Sequence, residues 1–305
     1  MRRDICVSPS PLWGRNHREK MNPNGSDSQA VAAIPRSRRP SNVWLVIVAA
    51  LFIIVPFLTW YGTWFGRELS DDDIAKYLAD EKSPRHIQHA LLQIEQRIEK
   101  HDPNVRKFYP QVIALTRNPV AEIRKTTAWV MGQDPAEEEF HRALLPMLTD
   151  SEPLVRRNAA LQLVRFGDAS GRPELRAMLQ PFEVKSPMGG TIVSLLPHGS
   201  KIKAGGLLAR IRDASNTVQE FRSPLDGAIA SLSVKEGEAV TVVQPIATLS
   251  PDRATISDAL GALAYVGTKD DLPLIAPLAE GKTTSDSEIR QQAALTVKAI
   301  ETRTQ

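Results

Sequence analysis

The spacing of apolar residues changes period three times along the chain, and each change marks an expected element. Residues 43–65 carry no charge and no polar face, being mostly Val, Ile, Leu, Ala and Phe. A helix over such a run, at ~1.5 Å per residue, is long enough for a ~30 Å hydrocarbon core. From Ser70 the apolar positions recur every three or four residues, as in Leu91, Ile94 and Ile98, which is the stripe of an amphipathic helix. Ser83-Pro84, Asp102-Pro103, Asn118-Pro119 and Asp134-Pro135 each set a capping side chain before a proline, predicting short antiparallel helices. Between 182 and 251 the pattern becomes short alternating runs punctuated by glycine, which reads as strands and turns. After 252 the helical period returns. The division is a tail at 1–42, a transmembrane helix at 43–65, helices at 66–181, a β module at 182–251 and helices at 252–305.

The β module is one short motif written twice. Lys185-Ser-Pro-Met-Gly-Gly190-Thr-Ile is followed by Gly199-Ser-Lys-Ile202 and Leu207-Leu-Ala-Arg-Ile211. Arg222-Ser-Pro-Leu-Asp-Gly227-Ala-Ile is followed by Gly237-Glu-Ala-Val240 and Pro245-Ile-Ala-Thr-Leu249. Two such copies predict a quasi-symmetric pair of small sheets, with glycine where the chain turns sharply. This resembles the biotinyl/lipoyl domain family, with its barrel-sandwich hybrid fold. The resemblance implies a cofactor-bearing lysine on the hairpin between the halves, and that position is Asn216 here. No lysine occurs between Lys203 and Lys235, so no covalent cofactor is expected. The hairpin residues Asp213, Ala214, Ser215, Asn216 and Thr217 become the candidate partner contact, and Pro187, Gly190, Pro224 and Gly227 the structural turns.

Asp150-Ser-Glu-Pro153-Leu-Val155-Arg156-Arg-Asn-Ala159-Ala160-Leu-Gln-Leu163 resembles the HEAT repeat. Val120-Ala-Glu-Ile123-Arg124-Lys-Thr-Thr-Ala128 and Ile289-Arg290-Gln-Gln-Ala293-Ala294-Leu295 carry the same pattern. Corners beginning at Gly167 and Gly267 look equivalent, which places the β module as an insertion within one α-solenoid; two separate helical domains are the alternative. The expected fold class is therefore α+β and multidomain: a single transmembrane helix and a HEAT-like α-solenoid with an inserted all-β barrel-sandwich hybrid.

Charge places the chain rather than naming a ligand. Residues 1–42 hold eight Arg and Lys against three acids, a net of +5, so the formal +3 of the whole leaves −2 for the rest. The basic excess is a disordered tail beside the apolar run, and no nucleic-acid partner is expected. Met21 is an alternative start. Arg36, Arg38 and Arg39 precede that run and Asp71, Asp72 and Asp73 follow it. The positive-inside rule then gives a signal-anchored, single-pass protein of the inner membrane, its N-terminus cytoplasmic and its bulk periplasmic. The one cysteine, Cys6, excludes an intrachain disulfide framework.

Catalytic and metal-binding motifs are absent. His86 and His89, with His101 nearby, lack the further ligands of a metal site and read as exposed helical histidines. Glu137, Glu138 and Glu139 fall in a first helical turn, where the macrodipole favours them. No catalytic residue, metal or cofactor is expected, and no enzyme activity. The expected function is a membrane-anchored scaffold binding a protein partner through the helices and the unmodified module. The HlyD-like adaptors of export pumps share the tail, the single helix and the barrel module. That resemblance implies an alternative, an accessory subunit whose partner is a membrane transporter, although their long coiled-coil hairpin is missing here. A covalent carrier or a lyase, as among HEAT-like bilin lyases, is a further alternative.

Overall fold

The computed structural model describes residues 43–60 and 68–303, and the chain divides into two compact units, Met1–Gly66 and Arg67–Gln305. In the first unit, α1 (Val43–Trp60) is apolar all round, with Pro56 inside it. Most of its described side chains are exposed, Phe52 and Ile53 most of all. The expected transmembrane helix over 43–65 is overturned. The helix has 18 residues, about 27 Å at 1.5 Å per residue, short of a ~30 Å hydrocarbon core. Among the described residues no helix is long and apolar enough to cross a membrane. The signal anchor, the single-pass inner-membrane placement and the cytoplasmic N-terminus rested on that span and fall with it, as does the membrane as a partner. The basic tail 1–42 and the aromatic positions Tyr61 and Trp64 lie outside the described residues.

The second unit begins with α2 (Asp71–Leu78), whose N-cap Ser70 accepts from the Asp73 amide. Three helix pairs follow: α3 (Pro84–Glu99) with α4 (Tyr109–Ala114), α5 (Ala121–Met131) with α6 (Glu138–Leu144), and α7 (Pro153–Arg165) with α8 (Arg172–Met178). After the β module come α9 (Arg253–Val266), α10 (Leu272–Ala279) and α11 (Ser287–Arg303). The longer members stack in a row, α3 on α5, α5 on α7, α7 on α9 and α9 on α11. Leu91, Ile94, Ile123, Phe140, Leu144 and Leu163, all fully buried, fill the first part of the row.

Proline placement departs from the expected caps. Pro84 does open α3, and Pro103 opens a 310 turn, Pro103–Phe108. Asn118 and Asp134 instead close small turns ahead of their helices. The Asn118 Oδ1 accepts from the Val120 amide at 2.9 Å, and the helix starts at Ala121. The Asp134 Oδ1 accepts from the Ala136 amide at 3.3 Å, and α6 starts at Glu138. Side chains that bond their own backbone two residues on favour the turn over the helix.

The β module has eight strands: β1 (Phe182–Lys185), β2 (Gly190–Leu195), β3 (Lys201–Ile202), β4 (Leu207–Arg212), β5 (Val218–Arg222), β6 (Gly227–Leu232), β7 (Ala239–Val240) and β8 (Pro245–Ser250). They form two antiparallel sheets, β1-β8-β6-β3 and β5-β4-β2-β7. Exchanging the halves, β1 for β5 through β4 for β8, turns one order into the other. The hydrogen bonds follow the same exchange. The Ser186 hydroxyl donates to the Met188 carbonyl at 2.6 Å, and the Ser223 hydroxyl to that of Leu225 at 2.7 Å. The Gly199 amide donates to Ile229 and the Gly237 amide to Ile192, each at 2.8 Å. Val184, Ile192, Leu208, Ile211, Ile229, Ile246 and Leu249 are buried between the sheets.

Candidate functional site

Strand register places the two ends of the module in different surroundings. Phe182 lies opposite Leu249 and Ala228 opposite Ser250, so both connections to the helices leave from one end. Pro224 and Gly227 are at this seated end. There Ala204, Gly205, Ser223 and Pro224 face Glu122, Glu152 and Leu154 across a cleft of ≈ 420 Å³. A second cleft, ≈ 720 Å³, opens between β3 and the first turn of α9, lined by Lys201, Lys203, Asp252, Arg253 and Ser257. Thr191 lies opposite Arg212 and Ala239 at the other, free end, together with the hairpin 213–217, Pro187 and Gly190.

The hairpin is tied by one side chain. The Asp213 Oδ1 accepts from the amides of Ser215 and Thr217, both at 2.9 Å, and from the Ser215 hydroxyl at 2.6 Å. Its Oδ2 accepts from Gln219 Nε2 at 3.2 Å. These donors, the Ser215 hydroxyl foremost, hold the Asp213 carboxyl below the ordinary carboxylate range. Asn216 turns the chain at φ +64°, a conformation Asn tolerates better than most residues. Asn216 thus stands in a turn tied by polar contacts. Ala214 completes the tip as an exposed residue. After β7, Val242 and Val243 are about three-fifths exposed, and Val243 has φ +66°. Sequence reasoning missed them, because two valines in a strand-rich segment read as core.

Gly190 and Gly227 are where the two halves pinch. A Cβ on Gly190 would meet the Arg212 carbonyl oxygen at 2.3 Å, and one on Gly227 that of Ser250 at 2.4 Å. Pro187 and Pro224 follow the two serines whose hydroxyls close the equivalent turns.

The seated end also gathers charge that no motif announced. The Lys203 Nζ lies 2.7 Å from Asp226 and 3.2 Å from Asp252, the N-cap of α9. On α7, Arg156 reaches Glu174 of α8 at 3.2 Å, while Arg157, only 6% exposed, lies 3.7 Å from the other oxygen of Glu174. Burial pushes the Arg157 guanidinium down, with Glu174, Asp252 and Asp226 acting to hold its charge.

The histidines do not converge on a metal. His86 Nδ1 bonds the Asp80 carboxylate at 2.7 Å and its ring stacks on Tyr77 at 4.3 Å, while His89 is tilted against the same Tyr77 at 6.2 Å. His101 turns the chain after α3 at φ +55°. Among the described residues no group of His, Cys, Asp and Glu is arranged to hold a metal ion.

No family model matches the chain, and no curated protein matches it. Among solved structures, a single-chain, multi-domain long-chain acyl-CoA carboxylase is similar at 16% identity over 44% of this chain, with a TM-score of 0.23. The chain spans 16% of that carboxylase chain. At that score the likeness carries no argument about activity, and the resemblances to HEAT-repeat proteins and HlyD-like adaptors rest on the sequence alone.

Proposed function

We propose that this chain is a non-enzymatic scaffold that binds a protein partner through its stacked helices and the free end of its β module. The observation that carries the reading is the hairpin tip. Asn216 stands where the biotinyl/lipoyl resemblance calls for a modified lysine, and Asp213 ties the turn through four hydrogen bonds. A tip built in this way presents a surface rather than an arm. The exposed Val242 and Val243, after β7, supply apolar contact area. On the helices, the HEAT-like row leaves Leu92, Trp129, Tyr265 and Leu295 exposed, the composition of a contact face.

The test is site-specific photo-crosslinking in the native cell, with the reactive group at Asn216 in one chain and at Trp129 in another. A partner captured at both positions is expected. Replacing 213–217 by Gly and Ser should abolish capture at the module while sparing capture at Trp129. Absence of a reproducible partner at either position overturns the scaffold. An intact mass above that of the sequence would instead favour a covalent carrier.

A further inference from the structure

The two halves of the β module diverge on their outward faces. Arg210 and Arg212 of β4 stand where β8 has Thr248 and Ser250, while the buried Ala209 and Ile211 match the buried Ala247 and Leu249. The fold therefore does not itself call for arginine at those two positions. Strand pairing sets both in rows across the second sheet. Arg212 lies between Thr191 of β2 and Val218 of β5, and Arg210 between Ser194 and Glu220. Residues opposite one another on neighbouring strands share a face.

Glu220 is already engaged: Arg210 reaches it at 3.3 Å and Arg222 at 2.7 Å. The exposed Arg212 guanidinium has no partner among the described residues. Asp213, at the hairpin end, is occupied by the turn it ties. The other nearby charges, Lys235, Glu236 and Glu238, belong to the β6–β7 turn, where Glu236 accepts from the Leu195 amide and Glu238 from that of Lys235. Around β5, then, Arg210, Arg212 and Arg222 stand against Glu220 and Asp213, and both acids are engaged.

The strand beside these arginines is also an open edge. β5 ends the order β5-β4-β2-β7, and Val218, Gln219, Glu220 and Arg222 are exposed along it. It holds no proline, and the register shift of the pair falls in β4, between Leu207 and Ala209. Alternate residues of an edge strand turn amide and carbonyl groups away from the sheet, a template for one more strand.

We infer that β5 takes up an extended acidic segment of a partner protein as an additional strand, its carboxylates meeting the arginines of the outer face. Main-chain pairing supplies the register, and the guanidinium groups select against neutral or basic segments. The inference rests on the scaffold reading for the existence of a protein partner, and it names the chemistry of the segment bound at the module.

The test uses the purified full chain and a fluorescein-labelled octapeptide alternating Glu with Val and Thr, followed by anisotropy. The peptide should bind. R210T/R212S, which copies the outer face of the other half, should weaken binding about tenfold or more. A peptide with Lys in place of Glu should not bind. N-methylation of alternate peptide amides keeps the charge and blocks pairing, and should also weaken binding about tenfold or more. In hydrogen exchange, the acidic peptide should slow 218–222 and leave β1 and β8 unchanged. No binding up to about 1 mM, or equal binding by R210T/R212S, overturns the inference. Equal binding of the N-methylated peptide also overturns it, since charge alone would then suffice. If these arms fail while the photo-crosslinks at Asn216 and Trp129 still capture a partner, the scaffold stands and the added strand falls.

Discussion

Gly205 and Val243 occupy equivalent turns of the two halves, with φ of +77° and +66° respectively. A β-branched residue in the left-handed region costs roughly 1–2 kcal/mol, a strain that glycine avoids. Val243 is mostly exposed, so little packing offsets it. V243N should therefore stabilise the chain by about 1 kcal/mol, read as a higher urea midpoint at unchanged slope. In the converse, G205V, the new Cβ meets no atom within 4 Å, and the left-handed backbone should cost roughly 1–2 kcal/mol. Gly190 and Gly227 differ from that pair because their constraint is contact. Each Cβ would strike a backbone oxygen, and G190A and G227A should each cost about 2–3 kcal/mol, the two values matching because the sites are quasi-equivalent. Unequal urea-unfolding losses would show that the two pinches are not equivalent in energy. The glycines were legible because a repeated Gly signals a backbone need. Val243 was not, since its φ leaves no trace in residue type.

Between elements, the contacts that matter are buried charges at helix corners. Asp271 is fully buried after α9, accepting from the Thr268 amide at 2.7 Å and from the Arg176 guanidinium at 2.5 Å, with Arg172 at 3.7 Å. Arg172 and Arg176 lie on α8, so this carboxylate ties together helices on either side of the β module. D271A leaves two cations facing an emptied site and should cost about 3–5 kcal/mol, measured as lost thermal and urea stability. His141 of α6 makes a second tie, its Nε2 2.7 Å from the Asp168 carboxylate after α7. The Asp168 hydrogen bond raises the His141 pKa above 6.5. Burial pushes the Asp168 carboxyl up, and hydrogen bonds from Ser170 and His141 more than offset it, leaving it below 3.8. The histidine term is fully present below 6.5 and lost as pH rises through the raised value, while the aspartate term is present above 3.8 and lost as pH falls through the lowered one. The unmodified chain should thus lose more melting temperature than H141Q between about pH 5.5 and about pH 8.5. Equal losses would remove the pair as a pH-dependent tie. Neither tie was legible, because each joins residues 27 and 95 positions apart and no local period encodes such a pairing. Asn118-Pro119 and Asp134-Pro135 misled for the opposite reason: the local chemistry was real, but it built turns. The run 43–65 misled likewise: hydropathy registers apolar character, yet the described helix there, Val43–Trp60, is not long and apolar enough to cross a membrane.

At the scale of the whole second unit, one core runs past the point where the sequence leaves the helices. Ala160, Leu175 and Met178 precede the β module, and Ala259, Leu260, Leu263, Ile275 and Ile300 follow it, yet they share one buried cluster. The cluster closes because both connections leave the module at one end. Glycine serves the same closure at two corners. A Cβ on Gly171 would sit 2.6 Å from the Ala160 Cα, and one on Gly267 would meet the Leu263 carbonyl at 2.5 Å. The C-terminal helices bury their apolar face on α7 and α8, and the free energy of that burial belongs to both stretches at once. Replacing 182–250 by a short Gly-Ser link should therefore leave a helical chain that still melts in one cooperative transition, followed by circular dichroism at the helical band. If α9, α10 and α11 held themselves together alone, the deleted chain would melt in two steps, and D271A in that background would affect only the second. A single transition, lowered as a whole by D271A, is what a core shared across the module requires.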